Sequence, residues 1–257
     1  MSPSPDGPSP GGPSPDLPAP RLLDAGETAL VAEFGDEVDP VLSDRVLALD
    51  AAVTARALPG VRESVPTYRS LMIHYDPLVI DRATLAAEVT ALAQAAPAQG
   101  RRGALWTIPC CYDPAFGEDI ATIAETTGLT PEQVVALHSG ARYRLYMYGF
   151  APGFCYLGGL PEAFAKVSRR LKPRPPHPPN VVMMAGGLAS IATVSMPTGW
   201  FLIGRTPERM FSLTRTPTVL LEVGDDLMFE PIDRATFDAL EARAAAGEVV
   251  ARREAGR

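Results

Sequence analysis

The chain has 257 residues, 46% of them hydrophobic and 21% charged, with a formal net charge of −7. The mixture is that of a globular protein, and the length allows one large domain or two small ones. The negative balance gives no electrostatic case for nucleic acid or an anionic membrane, and no apolar run reaches the roughly 18 residues a membrane helix needs.

In chain order, residues 1–20 read as a tail: fifteen of the twenty are Pro, Ser or Gly, and PSPD occurs twice. Such a segment buries too little apolar surface to offset its ordering entropy, so a disordered tail is expected. It has neither the basic region nor the apolar core of a signal peptide. Residues 28–34 (TALVAEF) read as a strand. A helix follows with Val38, Leu42, Val46, Leu49 and Val53 on one stripe, ended by Pro59-Gly60. Residues 61–65 and 68–75 read as two strands joined at Pro66. Asp81 caps a second helix with Leu85, Val89, Leu92 and Ala96 on its stripe, and residues 105–111 begin another strand. Strand, helix, strand, strand, helix, strand is the split βαβ order of a ferredoxin-like α+β unit.

Residues 99–103 (QGRRG) form a short basic linker and mark the expected domain seam. Two short helices are expected beyond it, one over 117–127 and one from Thr130, whose Thr-Pro-x-Gln start is a capping box, to about His138. Residues 143–232 are short strands broken by Gly and Pro, as an all-β barrel or sandwich requires, with a closing hairpin over 219–229. A last helix from Asp233 is expected to fray into an Arg-rich end. The expected organisation is therefore a tail over 1–20, an α+β domain over 21–103, a β domain over 104–232 and a C-terminal helix and tail over 233–257.

In the strand at 143–150, alternation puts Tyr143, Leu145 and Met147 on one side, and Arg144, Tyr146, Tyr148 and Phe150 on the other. A cation with three rings fits a groove for a flat polar ligand, and equally a plain barrel wall. The chain lacks Gly-x-x-x-x-Gly-Lys-Ser/Thr and Gly-x-Ser-x-Gly, and its three histidines have no zinc-ligand spacing, so no metal is expected. Cys110, Cys111 and Cys155 are an odd set with two adjacent members, which points to free thiols and a reducing, cytoplasmic setting. Cys155, in a Gly-Pro-rich turn, is the thiol to test for reactivity. His138 has the residue type for proton transfer or for satisfying the last carbonyls of its helix. Arg174, held between prolines, and Arg205, after a glycine, have the fork that binds carboxylate or phosphate or makes a surface ion pair. Trp200 and Phe154 are core or ligand platforms.

IPCCYDPAFGEDIATIAETTGLTPEQVVALHS, YRLYMYGFAPGFCYLGGLPE and GWFLIGRTPERMF closely resemble the family of the 5-oxoprolinase B subunit, which includes the kinase inhibitor KipI and is also called allophanate hydrolase subunit 1. The match covers roughly residues 21–232 in order. It implies a ferredoxin-like α+β domain followed by a cyclophilin-like β-barrel. It further implies one subunit of an ATP-dependent complex that opens 5-oxoproline to L-glutamate. The implied partners are a paralogous C subunit (KipA type) and a LamB/YcsF-type A subunit, with ATP at a partner or shared interface. Within that resemblance His138, Arg174 and Arg205 are expected to be catalytic, and Tyr146, Tyr148, Phe150, Phe154 and Trp200 to shape the substrate groove. A KipI-like regulatory module and a component acting on another small C–N substrate are the alternatives. Cys155 stands where the family has a proline, and residues 174–200 depart from its usual pattern around a retained Ala185-Gly186-Gly187.

Overall fold

The computed structural model describes residues 18–96 and 103–254. They fall into two compact units, one within residues 1–100 and the other within 101–257. The expected tail up to residue 17 and the linker up to residue 102 lie outside the described residues.

The first unit contains β1 (Arg21–Asp24), β2 (Ala29–Glu33), α1 (Pro40–Arg56), β3 (Val61–Pro66), β4 (Ser70–Tyr75) and α2 (Arg82–Ala95). The strands form an antiparallel sheet in the order β1-β2-β4-β3. Helix α1 starts where Asp39 accepts the amides of Val41 and Leu42, with Pro40 in the first turn. Its buried stripe is Val46, Leu49 and Val53, whereas Val38 precedes the helix and is exposed. Asp81 caps α2 at Thr84, and Leu85 and Val89 meet Leu30, Ala32, Leu71 and Ile73 in one core.

The strand over residues 105–111, counted as the last strand of the split βαβ order although it lies beyond the expected seam at 99–103, belongs to the other sheet. Its residues from Ile108 to Cys111 are buried on both faces, which an edge position would not provide. The open edge beside β2 is filled instead by β1, whose largely exposed RLLD suits an edge.

The second unit begins with β5 (Leu105–Cys111), α3 (Ile120–Thr127), α4 (Pro131–Ser139), β6 (Tyr143–Tyr148) and β7 (Cys155–Gly158). It continues with β8 (Val181–Ala185), β9 (Leu188–Ala192), β10 (Phe201–Arg205), β11 (Asp226–Ile232), α5 (Arg234–Ala245) and β12 (Arg252–Glu254). The sheet order β10-β8-β9-β7-β6-β11-β5 closes by pairing β10 with β5, so seven strands form a barrel and β12 joins β5 alongside. Closure occurs at Arg205 opposite Cys111, and Gly204 permits it: a Cβ there would stand 2.8 Å from the Cys111 carbonyl oxygen. All seven strands contribute to one core, among them Ile108, Leu145, Leu157, Val182, Ile191, Ile203 and Phe229, and α3 and α4 add Ile120, Ile123 and Val134. Alternate residues of β8 and β10 (Val181, Met183, Leu202) face the other way, into a second cluster with Phe154 and Trp200.

Three expectations about this unit change. The hairpin over 219–229 is absent: β11 starts at Asp226 and pairs parallel with β5 and antiparallel with β6. The preceding turn is held by the buried Asp225 carboxylate, which accepts from the Ala104 amide at 2.9 Å and from Trp106 Nε1 and the Glu222 amide at 3.0 Å. Up to Glu254, the last described residue, the segment after α5 returns to the sheet as β12. The fully buried Glu208 carboxylate accepts the Val250 and Ala251 amides, both at 2.7 Å, and fixes the return. The aromatic strand does not keep one alternation either. Its register with β7 shifts between Leu145 and Met147, so Tyr148 joins the side of Tyr143 and Leu145 in the barrel core.

Candidate functional site

A cleft of about 700 Å³ opens between α3 and α4. Helix α4 turns Val134 and His138, four residues apart, inward, and lines the cleft with Pro131, Val135 and Ser139, again spaced by four. Helix α3 supplies Ile120 and Ala121, and Tyr112 and Pro231 complete the wall. Glu118 and Glu132 are the charged groups among the lining residues. The volume falls in the range of small-molecule sites.

Tyr112 links this cleft to His138. The half-buried ring lines the cleft, while the hydroxyl lies 2.9 Å from His138 Nδ1. The imidazole is fully buried, stacks on Phe229 at 4.9 Å between ring centroids, and leaves Nε2 without a hydrogen-bond partner. Burial pushes the His138 pKa down to about 3, so the ring is neutral at physiological pH. Burial also holds the Tyr112 phenol well above its ordinary value. The Tyr143 hydroxyl donates to the His138 carbonyl at 3.0 Å and fixes the end of α4. In this state His138 is a neutral hydrogen-bond partner of Tyr112, whose hydroxyl lies between the imidazole and the cleft that its ring lines.

Arg174 approaches the same cleft through Glu118. Its guanidinium donates to the Glu118 carboxylate and, at 2.7 Å, to Asp119 Oδ2. Asp119, only 5% exposed, also accepts from Arg170 Nη1 and from the Leu202 amide, both at 2.7 Å. One buried carboxylate thus positions two arginines and ties α3 to β10.

Arg205 does not join them. Its Nε donates to the Pro179 carbonyl at 3.0 Å and its Nη2 to Glu241 at 2.8 Å, and it lies over the rings of Phe116 and Phe237. The five aromatics expected to shape one groove are also divided. Tyr146 is buried beside Gly158, and the Tyr148 hydroxyl donates to the Leu221 carbonyl at 2.8 Å. Phe154 and Trp200 pack in the second cluster. Phe150 is 75% exposed on a left-handed backbone with φ of 66°. The register shift in β6 separates Tyr146 from Tyr148, whereas Phe150, Phe154 and Trp200 stay linked by ring contacts through Tyr156. Cys155 is fully buried, its thiol donates to the Gly153 carbonyl at 3.3 Å, and burial pushes its pKa up, the opposite of a reactive thiol.

Two residues escaped the sequence reading. Tyr112 follows Trp106, Ile108 and Cys110 in the alternation of β5, which was a usable signal. Asp119 reads as a helix cap, yet its side chain makes no cap hydrogen bond and is given to the two arginines. Among the described residues, no group of three or more His, Cys, Asp or Glu is placed to hold a metal ion.

Residues 20–221 match the family model for the carboxyltransferase domain, subdomain C and D. The chain is 32% identical over 225 residues to the 5-oxoprolinase B subunit of Bacillus subtilis, an alignment that covers 83% of this chain and 93% of that protein. Among solved structures it is similar to TTHA0988, with 33% identity and a TM-score of 0.71 over 80% of this chain; it spans 40% of that longer chain. Urea carboxylase of Kluyveromyces lactis shares the fold, with a TM-score of 0.74 at 17% identity, over 94% of this chain and 24% of that one. The chain belongs to the carboxyltransferase-domain family, subdomain C and D type, that includes the 5-oxoprolinase B subunits.

Proposed function

We propose that this chain is the B subunit of a heteromeric, ATP-dependent 5-oxoprolinase that opens 5-oxoproline to L-glutamate. The observation that carries the reading is its likeness to one such protein over 93% of that protein's length. The site chemistry supports a subunit that works only in a complex. Arg174 and Arg205 direct donors at carboxylates of this chain, and His138 is buried and neutral. The described residues therefore leave the charged part of an active centre to be completed by partners, for which paralogous C-type and LamB/YcsF-type A subunits are proposed. Tyr112 is the proposed proton carrier at the cleft, with His138 setting the direction of its hydroxyl. When bound, ATP supplies the phosphoryl group that activates an unstrained lactam carbonyl toward water. With no Walker-type loop in the sequence, its main site is proposed at a partner or shared interface.

Co-expression with the C-type and A-type partner proteins, pull-down on this chain and an assay of ATP-dependent glutamate release from 5-oxoproline test the reading. The expected result is a stable complex with turnover and an inactive isolated chain. Robust turnover by the isolated chain would overturn it; a stable complex inert toward 5-oxoproline would move the substrate to another small C–N compound, and no complex at all would favour a regulatory module.

A further inference from the structure

In a chain of net charge −7, residues 166–174 (KVSRRLKPR) hold five cations and no acid. The segment is anchored at both ends. The Arg170 amide donates to the Gly199 carbonyl and the Arg174 amide to the Thr198 carbonyl, both at 2.8 Å, and the two guanidinium groups close on the buried Asp119. Between these anchors Leu171 and Lys172 project into solvent. Pro173 and Pro175 restrict the backbone on either side of Arg174.

The segment walls a second concavity of about 430 Å³, lined by Thr122, Arg170, Leu171, Lys172 and Phe201. The Phe201 ring backs the Arg170 guanidinium at 5.3 Å, and Asp119 fixes one end of that guanidinium. A guanidinium carries five N–H donors in a planar fork, so further donors remain beyond the one given to Asp119. Lys172 has no ion-pair partner among the described residues, and Thr122 of α3 lines the same space. Two cations of different shape, one of them fixed by Asp119, beside a hydroxyl-bearing residue have the donor chemistry that a tetrahedral oxyanion needs.

We propose that the concavity of Thr122, Arg170, Lys172 and Phe201 binds the phosphate groups of a small phosphate-bearing ligand. The site stands apart from the 5-oxoproline reading, because binding is measured on the isolated full-length chain without turnover. Arg170 and Lys172 line one space of about 430 Å³, which suits a small anion that both cations contact at once.

Calorimetric titration with inorganic pyrophosphate and with ADP tests it. Saturable binding of pyrophosphate is expected, weakened about tenfold or more in Lys172→Ala, as loss of one charge-assisted contact predicts. Thr122→Val is expected to weaken it by a smaller factor. Tighter binding of ADP than of pyrophosphate would identify a nucleotide as the ligand, and equal binding the bare phosphate. Lys166 lies in the same basic run but outside the concavity, so Lys166→Ala is expected to leave binding unchanged. No saturable binding tighter than millimolar, or equal losses in Lys166→Ala and Lys172→Ala, would overturn the proposal and leave a diffuse basic surface suited to an acidic protein.

Discussion

The two units use charge in different ways. In the first, the ion pairs lie at the surface: Arg21 with Glu33, Arg62 with Asp76 and Arg82 with Asp24. Its core is Leu, Ile, Val and aromatic packing between one sheet and two helices. In the barrel unit, carboxylates go inside. Asp225 pins the turn before β11, Glu208 pins the return to β12, and Asp119 ties α3 to β10 and to the basic segment. A sheet with capped helices forms from pattern alone, whereas a barrel with long irregular connections needs buried acceptors for the backbone donors in those connections.

The sharpest way to break this contrast is to remove one carboxylate from each unit. Asp225→Ala leaves three buried or half-buried N–H donors without their acceptor, and a loss of about 3–5 kcal/mol is expected. Both tryptophans, Trp106 and Trp200, lie in the barrel unit, so fluorescence during urea unfolding follows that unit alone. Glu33→Ala removes only a surface partner and is expected to change the first unit by about 1 kcal/mol or less, followed by circular dichroism. A loss below about 1 kcal/mol in Asp225→Ala would show that water replaces the carboxylate and that the contrast is one of appearance.

The same division explains what could be read in the sequence. Periodicity located α1 and α2 because Val46, Leu49, Leu85 and Val89 bury a single face, and capping chemistry located the start of α2 at Asp81, whereas the start of α1 at Asp39 was missed by beginning its stripe at Val38. It located Thr130 as the start of α4 for the same local reason. The expected seam at 99–103 put β5 in the barrel unit, where it lies, but counting it as the last strand of the split βαβ order failed, because strand order does not say which sheet a strand joins. The single face of the aromatic strand was not legible because one register shift in β6 moves every later side chain to the other face, and nothing local in YRLYMYGF marks the shift. The Asp119 clamp was illegible for a different reason: its arginines are 51 and 55 residues away.

A smaller effect tests the buried base beneath the cleft. The folded protein binds a proton at His138 only near pH 3, whereas the unfolded chain binds it below about 6.5. Between those values the unfolded state holds the extra proton, so stability falls as pH falls, by about 1.4 kcal/mol per unit at most. His138→Gln keeps a partner for the Tyr112 hydroxyl and removes the titration. Urea unfolding between pH 6.5 and 5 is expected to show the slope in the parent protein and a reduced slope in the variant. His177, whose pKa burial also lowers, contributes in the same direction to both proteins and does not disturb the difference. Equal slopes would mean that His138 exchanges protons freely in the folded state, and would restore it as a direct acid–base group.

The smallest expected effect concerns Phe150, where the barrel unit departs from its own habit of burying aromatic rings. Its backbone is left-handed, a conformation that costs a side-chain-bearing residue about 1–2 kcal/mol relative to glycine. In return the ring gains one edge-on contact with Phe154 at 5.7 Å, worth about 0.5–1.5 kcal/mol. Glycine would relieve the backbone but widen the unfolded ensemble, so these terms nearly cancel. Phe150→Gly is therefore expected to unfold within about 1 kcal/mol of the parent protein. Its ring is 75% exposed, so it is open to contact with a partner protein, and the same variant tests that contact. The variant is accordingly expected to keep its fold and to weaken assembly with the partner proteins in the pull-down. A loss of more than about 2 kcal/mol would instead make Phe150 part of the second aromatic cluster and remove it from the assembly surface.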